Sequence, residues 1–127
     1  MTKNFDFSGL WNSQFTYVNK LEPEGGVSEY DVKIYQTGNQ LVLQSIPGPT
    51  ENYFVARLTL DDKILTGTWQ EDASPTGVYK GQIYYGAGQL LIDSSGESMH
   101  GKIVEYNNDM EIITGDWKLT RTGQEKE

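Results

Sequence analysis

The sequence predicts an all-β fold, a single eight-stranded antiparallel up-and-down β-barrel, and three observations carry that reading. Apolar residues recur with a period of two, no stretch of 11 or more residues keeps a 3.6-residue apolar stripe, and turn-forming clusters punctuate the chain at regular intervals. The 127 residues amount to one domain, with an ordered core expected over about 5–121 and a polar C-terminal tail over 122–127. Eight Tyr, four Phe and three Trp supply the bulk for one core.

The first strand, 9–19, alternates Trp11, Ser13, Phe15 and Tyr17 on one face and ends before Gly25-Gly26. The second, 28–37, sets Tyr30, Val32 and Ile34 against Glu29, Asp31 and Lys33. Thr37-Gly38-Asn39 turns the chain into the third strand, 40–46, which stops at Pro47-Gly48-Pro49. The fourth, 52–60, sets Phe54, Ala56, Leu58 and Leu60 against Tyr53, Arg57 and Thr59. Asp61-Asp62 is the turn into the fifth strand, 63–71, and the segment Ala73 to Gly77 is the next turn signal. The sixth, 79–92, is long, and Gly86-Ala87-Gly88 is expected to kink or bulge it. Ser94 to Glu97 and Asn107 to Asp109 bound the seventh strand, 98–106, and the eighth spans 110–121. Closing such a meander removes both exposed edges.

An apolar-x-Gly-x-apolar pattern occurs four times, as Phe7-Ser-Gly9-Leu-Trp11, Leu65-Thr-Gly67-Thr-Trp69, Met99-His-Gly101-Lys-Ile103 and Ile113-Thr-Gly115-Asp-Trp117. It takes in every Trp of the chain. Alternation puts each Gly and its apolar partners on the same face, where a missing side chain lets the strand coil and lets a ring lie over bare backbone. The spacing between the four copies is unequal, so the chain is not a repeat protein.

The net charge of −8, with pI near 4.5, disfavours polymeric nucleic acid and anionic membrane surfaces as partners. No apolar run approaches 18 residues and the first residues lack a signal-peptide core, so the expected location is cytoplasmic, with no membrane contact by this chain itself. The absence of Cys excludes disulfides and thiolate chemistry, and one His excludes a multi-histidine metal site. His100 falls on the face opposite Met99, Gly101 and Ile103, away from any position that could ligate haem or serve a Ser-His-Asp triad. No Gly-x-Ser-x-Gly or P-loop occurs, and small barrels rarely leave the cleft that a glycosidic carboxylate pair needs. The expectation is a non-enzymatic protein without a cofactor.

A short chain that opens with Gly9-Leu-Trp11 and runs as an eight-strand meander resembles the calycin group, which includes lipocalins and avidins. The stretch from Leu65 to Leu119, with Leu65-Thr-Gly-Thr-Trp69, Ser74-Pro-Thr-Gly77, Gly81-Gln-Ile-Tyr-Tyr-Gly86 and Ile113-Thr-Gly-Asp-Trp117, is similar to a bacterial barrel family. One branch of that family is the sensor barrel of two-transmembrane effectors in cyclic-oligonucleotide (CBASS-type) anti-phage systems. The resemblance covers about half the chain. It implies a cyclic nucleotide messenger as ligand, a membrane-anchored parent or a stand-alone relative, and self-association or recruitment of partner modules on binding.

A barrel of this kind binds small molecules at its mouth, through inward side chains beyond the packed layer. Alternation groups Leu65, Trp69 and Glu71 on the fifth strand, Met99, Ile103 and Glu105 on the seventh, and Ile113, Trp117 and Leu119 on the eighth. Ser13, Tyr17, Glu71 and Glu105 are the polar members of these apolar faces. An inward carboxylate needs a partner, which Arg57 or a ligand amino group would supply; otherwise both Glu residues lie at strand ends in solvent. The loop 71–81 offers Tyr79 to stack a base and Lys80 to meet a phosphate, or is an ordinary hairpin loop. Tyr84 and Tyr85 add flat surfaces, with their facing open because a bulge at 86–88 flips the parity. For a cyclic nucleotide, Arg57, Lys33 and Lys80 are the expected phosphate contacts. The expected ligand-binding set is therefore Tyr17, Arg57, Trp69, Glu71, Tyr79, Lys80, Tyr85 and Glu105. The competing functions are a carrier of an apolar metabolite or lipid and a protein-interaction barrel filled by its own aromatics.

Overall fold

Eight strands form where the alternation places them: β1 (Gly9–Tyr17), β2 (Gly26–Thr37), β3 (Gln40–Ser45), β4 (Tyr53–Asp61), β5 (Ile64–Asp72), β6 (Ile83–Ile92), β7 (Ser98–Tyr106) and β8 (Ile112–Gly123). The computed structural model describes residues 6–17, 26–46, 53–72, 83–106 and 112–123, and no helix occurs among them. Each strand pairs antiparallel with its neighbour in sequence, and β8 returns to β1 to close the barrel. β8 runs two residues into the stretch read as tail, because Gly123 pairs with Leu10.

The two ends of the barrel differ. At one, residues 38–39 join β2 to β3, residues 62–63 join β4 to β5, and residues 93–97 join β6 to β7. Gly38 (φ 60°) and Asp62 (φ 57°) supply the left-handed turn position in the two tightest of these hairpins. Phe7 and Trp11 are fully buried at this hairpin end. The Arg121 guanidinium lies 4.9 Å from the Trp11 ring centroid, ion-pairs with Glu97 at 3.0 Å and donates to the Asp6 carbonyl at 2.7 Å. The backbone N–H of Phe7 donates to Gln36 Oε1 at 2.8 Å, tying the leading segment to β2. The connections at the opposite, loop end are residues 18–25, 46–52, 73–82 and 107–111. Almost all of their residues lie outside those described.

The predicted parity holds along β1, β5, β7 and β8. Trp11, Ser13, Phe15, Leu65, Trp69, Met99, Ile103, Trp117 and Leu119 are all buried, and Glu71, Glu105 and Ile113 follow on the same faces half-buried. The bulge expected at Gly86 to Gly88 is not there. The β5–β6 and β6–β7 registers run unbroken through these residues, and the one register shift lies between Leu10 and Trp11 in the β1–β8 pairing. The glycines serve ring packing instead. A Cβ on Gly86 would fall 2.5 Å from the Trp69 ring, and one on Gly88 would fall 3.0 Å from the Trp117 ring. With the parity unbroken, Tyr84 faces inward and Tyr85 outward.

The middle of the barrel is occupied by aromatic rings. Phe15 stacks on Trp117 at 5.2 Å between centroids and meets Phe54 at 5.1 Å and Trp69 at 5.5 Å. Tyr30 stacks on Phe54 at 5.6 Å with planes 12° apart. Each such contact adds about 0.5–1.5 kcal/mol to what burial of the ring contributes. Every indole N–H has an internal acceptor: Trp11 donates to the Phe7 carbonyl (2.8 Å), Trp69 to the Ala87 carbonyl (3.3 Å) and Trp117 to Ser13 Oγ (2.9 Å). Among the described residues Ser13 and Ser45 are the buried polar side chains, and Ser45 Oγ accepts from the Phe54 backbone N–H at 2.9 Å. Both hydroxyls are thus satisfied, as burial requires.

Candidate functional site

Glu71 and Glu105 lie near the loop-end termini of β5 and β7, on the inward faces of those strands. Between them runs β6, which pairs Tyr84 with Glu71 and Gly86 with Glu105. Gly86 carries no side chain, and the Trp69 ring covers the space over it. Directly beyond Glu105, β8 contributes Ile113. Tyr30 approaches from β2, where its hydroxyl donates to Glu71 Oε2. β2 and β5 are not neighbours in the sheet, so this hydrogen bond crosses the barrel interior. The result is two carboxylates and two tyrosines above a floor of Trp69, Phe54 and Phe15.

Burial raises the Glu71 carboxyl above its usual range, with the Tyr30 hydrogen bond acting the other way by stabilising the anion. Burial likewise raises Glu105, and the neighbouring Glu71 charge raises it further. Among the described residues, no Lys or Arg forms an ion pair with either group. The site is therefore a partly desolvated, acidic and aromatic mouth whose charge no described cation answers.

A proton-linked stability effect follows. Both groups hold protons more tightly in the folded barrel than at their ordinary value of 4.5, so their contribution favours folding below that pH. It is lost as pH rises through the raised folded values. Replacing both with Gln is expected to raise Tm at neutral pH and leave it nearly unchanged near pH 4. The Tm difference between variant and parent, followed across that range, checks the sign.

The expected site residues divide into three groups. Trp69, Glu71 and Glu105 come together at the loop end. Arg57 and Tyr85 do not join them: both are exposed on the outer face, and the half-buried Lys33 also faces outward, 5.1 Å from the Tyr35 ring. Arg57 thus cannot neutralise either Glu. Its place follows from β4 alternation, which puts Phe54, Ala56 and Leu58 inside. Tyr17 ends β1 at the loop end, and its side chain lies outside what is described. Tyr79 and Lys80 lie outside the described residues altogether. Tyr30 is not in the expected set, although a polar residue ending an inward apolar face, the feature shared by Tyr17 and Glu71, also describes it on β2. His100 is exposed on the outer wall, 3.4 Å from Asp93.

The closed eight-stranded antiparallel barrel is compatible with the calycin-like fold that the sequence resemblance implies. No protein-family model matches the chain, and no curated protein matches it in sequence.

Proposed function

We propose that this barrel is a non-enzymatic small-ligand-binding protein that takes its ligand at the loop end and anchors it on Glu71 and Glu105. The observation that supports this is the pair of inward, half-buried carboxylates with no described cation beside them. A carboxylate removed from water is costly unless paired, and the bound ligand supplies the missing partner. The ligand class is a planar group bearing a positive nitrogen or a row of N–H donors. Aromatic faces at Tyr30, Trp69 and Tyr84 favour such a group, and the net charge of −8 draws cations toward the protein. The rings that fill the middle favour a ligand held at the mouth over one deep along the axis, such as a carried lipid.

A cyclic nucleotide messenger fits this reading if it presents a base edge, N–H first, to the carboxylates. Its phosphates then require cations of the loop end, where the β5–β6 connection carries Lys80. Arg57 and Lys33 do not serve there, because both face outward.

A thermal-shift panel tests the proposal. Benzamidine, benzamide and benzoate share a shape and differ in charge; cyclic di- and trinucleotides and a fatty acid complete the set. A ligand at ~100 times its Kd adds roughly 2.7 kcal/mol and raises Tm by several degrees. The expected result is a shift with benzamidine and none with benzoate. A cyclic nucleotide shift that survives Arg57→Ala and is lost in Lys80→Ala would support the messenger form. A shift with fatty acid, or silence throughout, contradicts the proposal and returns the barrel to the carrier or protein-interaction class.

A further inference from the structure

The two carboxylates of the mouth are not equivalent. Tyr30 has a single O–H to give, and it goes to Glu71 Oε2. The Tyr30 ring lies flat on Phe54, 5.6 Å between centroids, and Phe54 is the cross-strand partner of Glu71. That stack holds the phenol at the Glu71 carboxyl. Glu105 sits in a different setting. Its partner on β6 is Gly86, which brings no side chain, and its partner on β8 is Ile113. The Trp69 ring covers Gly86, but its indole N–H is already given to the Ala87 carbonyl. Among the described residues, nothing donates a hydrogen bond to Glu105. The described titratable groups that face the pair are Tyr30 from β2 and Tyr84 from β6, while β1, β4 and β8 present Phe15, Phe54 and Ile113. Asp72 and Tyr106, the next residues along β5 and β7, alternate to the outer face.

We propose, resting on the reading of this mouth as a cation site, that Tyr30 is its positioning residue: it keeps Glu71 as the standing anion and leaves Glu105 to hold a proton that the ligand displaces. Two carboxylates in one partly desolvated site do not readily ionise together, and the proton settles on the one with the poorer hydrogen bonding. The phenol O–H stabilises the anion it faces, so Glu71 ionises first. Its charge then raises Glu105, which burial has already raised. When the ligand binds, the neutral Glu105 carboxyl gives its proton to the buffer, and the carboxylate left behind pairs with the ligand's positive nitrogen. No bond within the ligand forms or breaks. The mouth thus exchanges one cation for another, and its net charge is the same empty as filled. Acidification returns the proton to Glu105 and expels the ligand.

Calorimetric titration of benzamidine in buffers of different ionisation enthalpy counts the protons, on the wild type, Tyr30→Phe and Glu105→Gln, between about pH 5 and 7. The wild type is expected to release about one proton per ligand at the acid end and progressively fewer as pH rises. Its affinity climbs about tenfold per pH unit where the full proton is released. Tyr30→Phe keeps the ring stack on Phe54 but strips Glu71 of its donor. Glu71 then holds a proton as well, and the count rises above that of the wild type. Glu105→Gln binds more weakly and is expected to release only a small fraction of the wild-type count. Binding without proton release overturns the proposal and leaves the cation site standing. A count that Tyr30→Phe leaves unchanged, or that Glu105→Gln retains, does the same. Absence of benzamidine binding removes the cation site instead, and the proton order is then read from carboxyl-carbon NMR of the ligand-free protein. Glu105 is expected to titrate above Glu71, with the gap narrowing in Tyr30→Phe. The reverse order, or a gap that Tyr30→Phe leaves untouched, overturns the role given to Tyr30.

Discussion

Trp117→Ala is expected to destabilise the barrel by about 3–5 kcal/mol, the range for a buried aromatic truncated to a methyl. The indole is 1 % exposed, stacks on Phe15, meets the edge of Phe54 and covers Gly88. β6 presents Gly88 under the ring, so it offers no side chain to fill the space. The indole N–H also satisfies Ser13 Oγ, the partner of an inward hydroxyl that is fully buried. Whole-domain stability is only about 5–15 kcal/mol, so the loss takes a large part of it. For a domain of this size it corresponds to a Tm drop of roughly 10–20 °C, read by calorimetry. Trp117→Phe keeps much of the ring but leaves Ser13 without its donor, and is expected to cost about 1–3 kcal/mol. If Trp117→Ala left Tm within a few degrees of the parent, the ring cluster would not be what holds the barrel together.

Gly86→Ala is expected to be strongly damaging for a one-carbon change. In an ordinary strand, Ala in place of Gly stabilises by roughly 0.5–1 kcal/mol. Here the new Cβ would collide with the Val104 carbonyl oxygen on β7 and fall 2.5 Å from the Trp69 ring. A backbone atom cannot rotate away, so relief requires β6 and β7 to separate and Trp69 to shift as well. The expected cost is about 3 kcal/mol, the upper end for overpacking, with the loop-end floor disturbed as well. Gly123→Ala is the matched control, since a Cβ there meets nothing within 4 Å, and it is expected to change stability by less than ~0.5 kcal/mol. Chemical denaturation of the two variants side by side checks the contrast. A stable Gly86→Ala barrel with native Trp69 fluorescence would refute the packing role given to this glycine.

Much of this was legible in the sequence because side-chain parity is fixed by a period of exactly two, with no register shift between β2 and β8. Trp69, Glu71, Ile103, Glu105 and Trp117 could therefore be assigned inward from alternation alone. The same alternation places Arg57 and Lys33 outside. Naming them as phosphate contacts goes against the parity of their own strands. The bulge at Gly86 to Gly88 was a wrong reading for a related reason. Glycine marks either a bulge or a close approach, and only the neighbouring rings on β5 and β8 decide between them. The Tyr30–Glu71 hydrogen bond could not be foreseen, since it depends on how far the strands stagger as the sheet closes. That stagger is a property of all eight strands together, not of any one segment.

The central claim is that Glu71 and Glu105 form the anchor for a ligand, and calorimetric titration of benzamidine tests it most directly. Four proteins suffice: wild type, Glu105→Gln, the double variant Glu71→Gln/Glu105→Gln, and Arg57→Ala. Charge-assisted hydrogen bonds contribute about 1.5–3 kcal/mol, so loss of the carboxylates is expected to weaken binding by roughly 10–100-fold. Arg57→Ala should bind as the wild type does, and wild-type affinity should climb with pH as the two raised carboxyls ionise. Binding undiminished in the double variant, or lost in Arg57→Ala, would contradict the account.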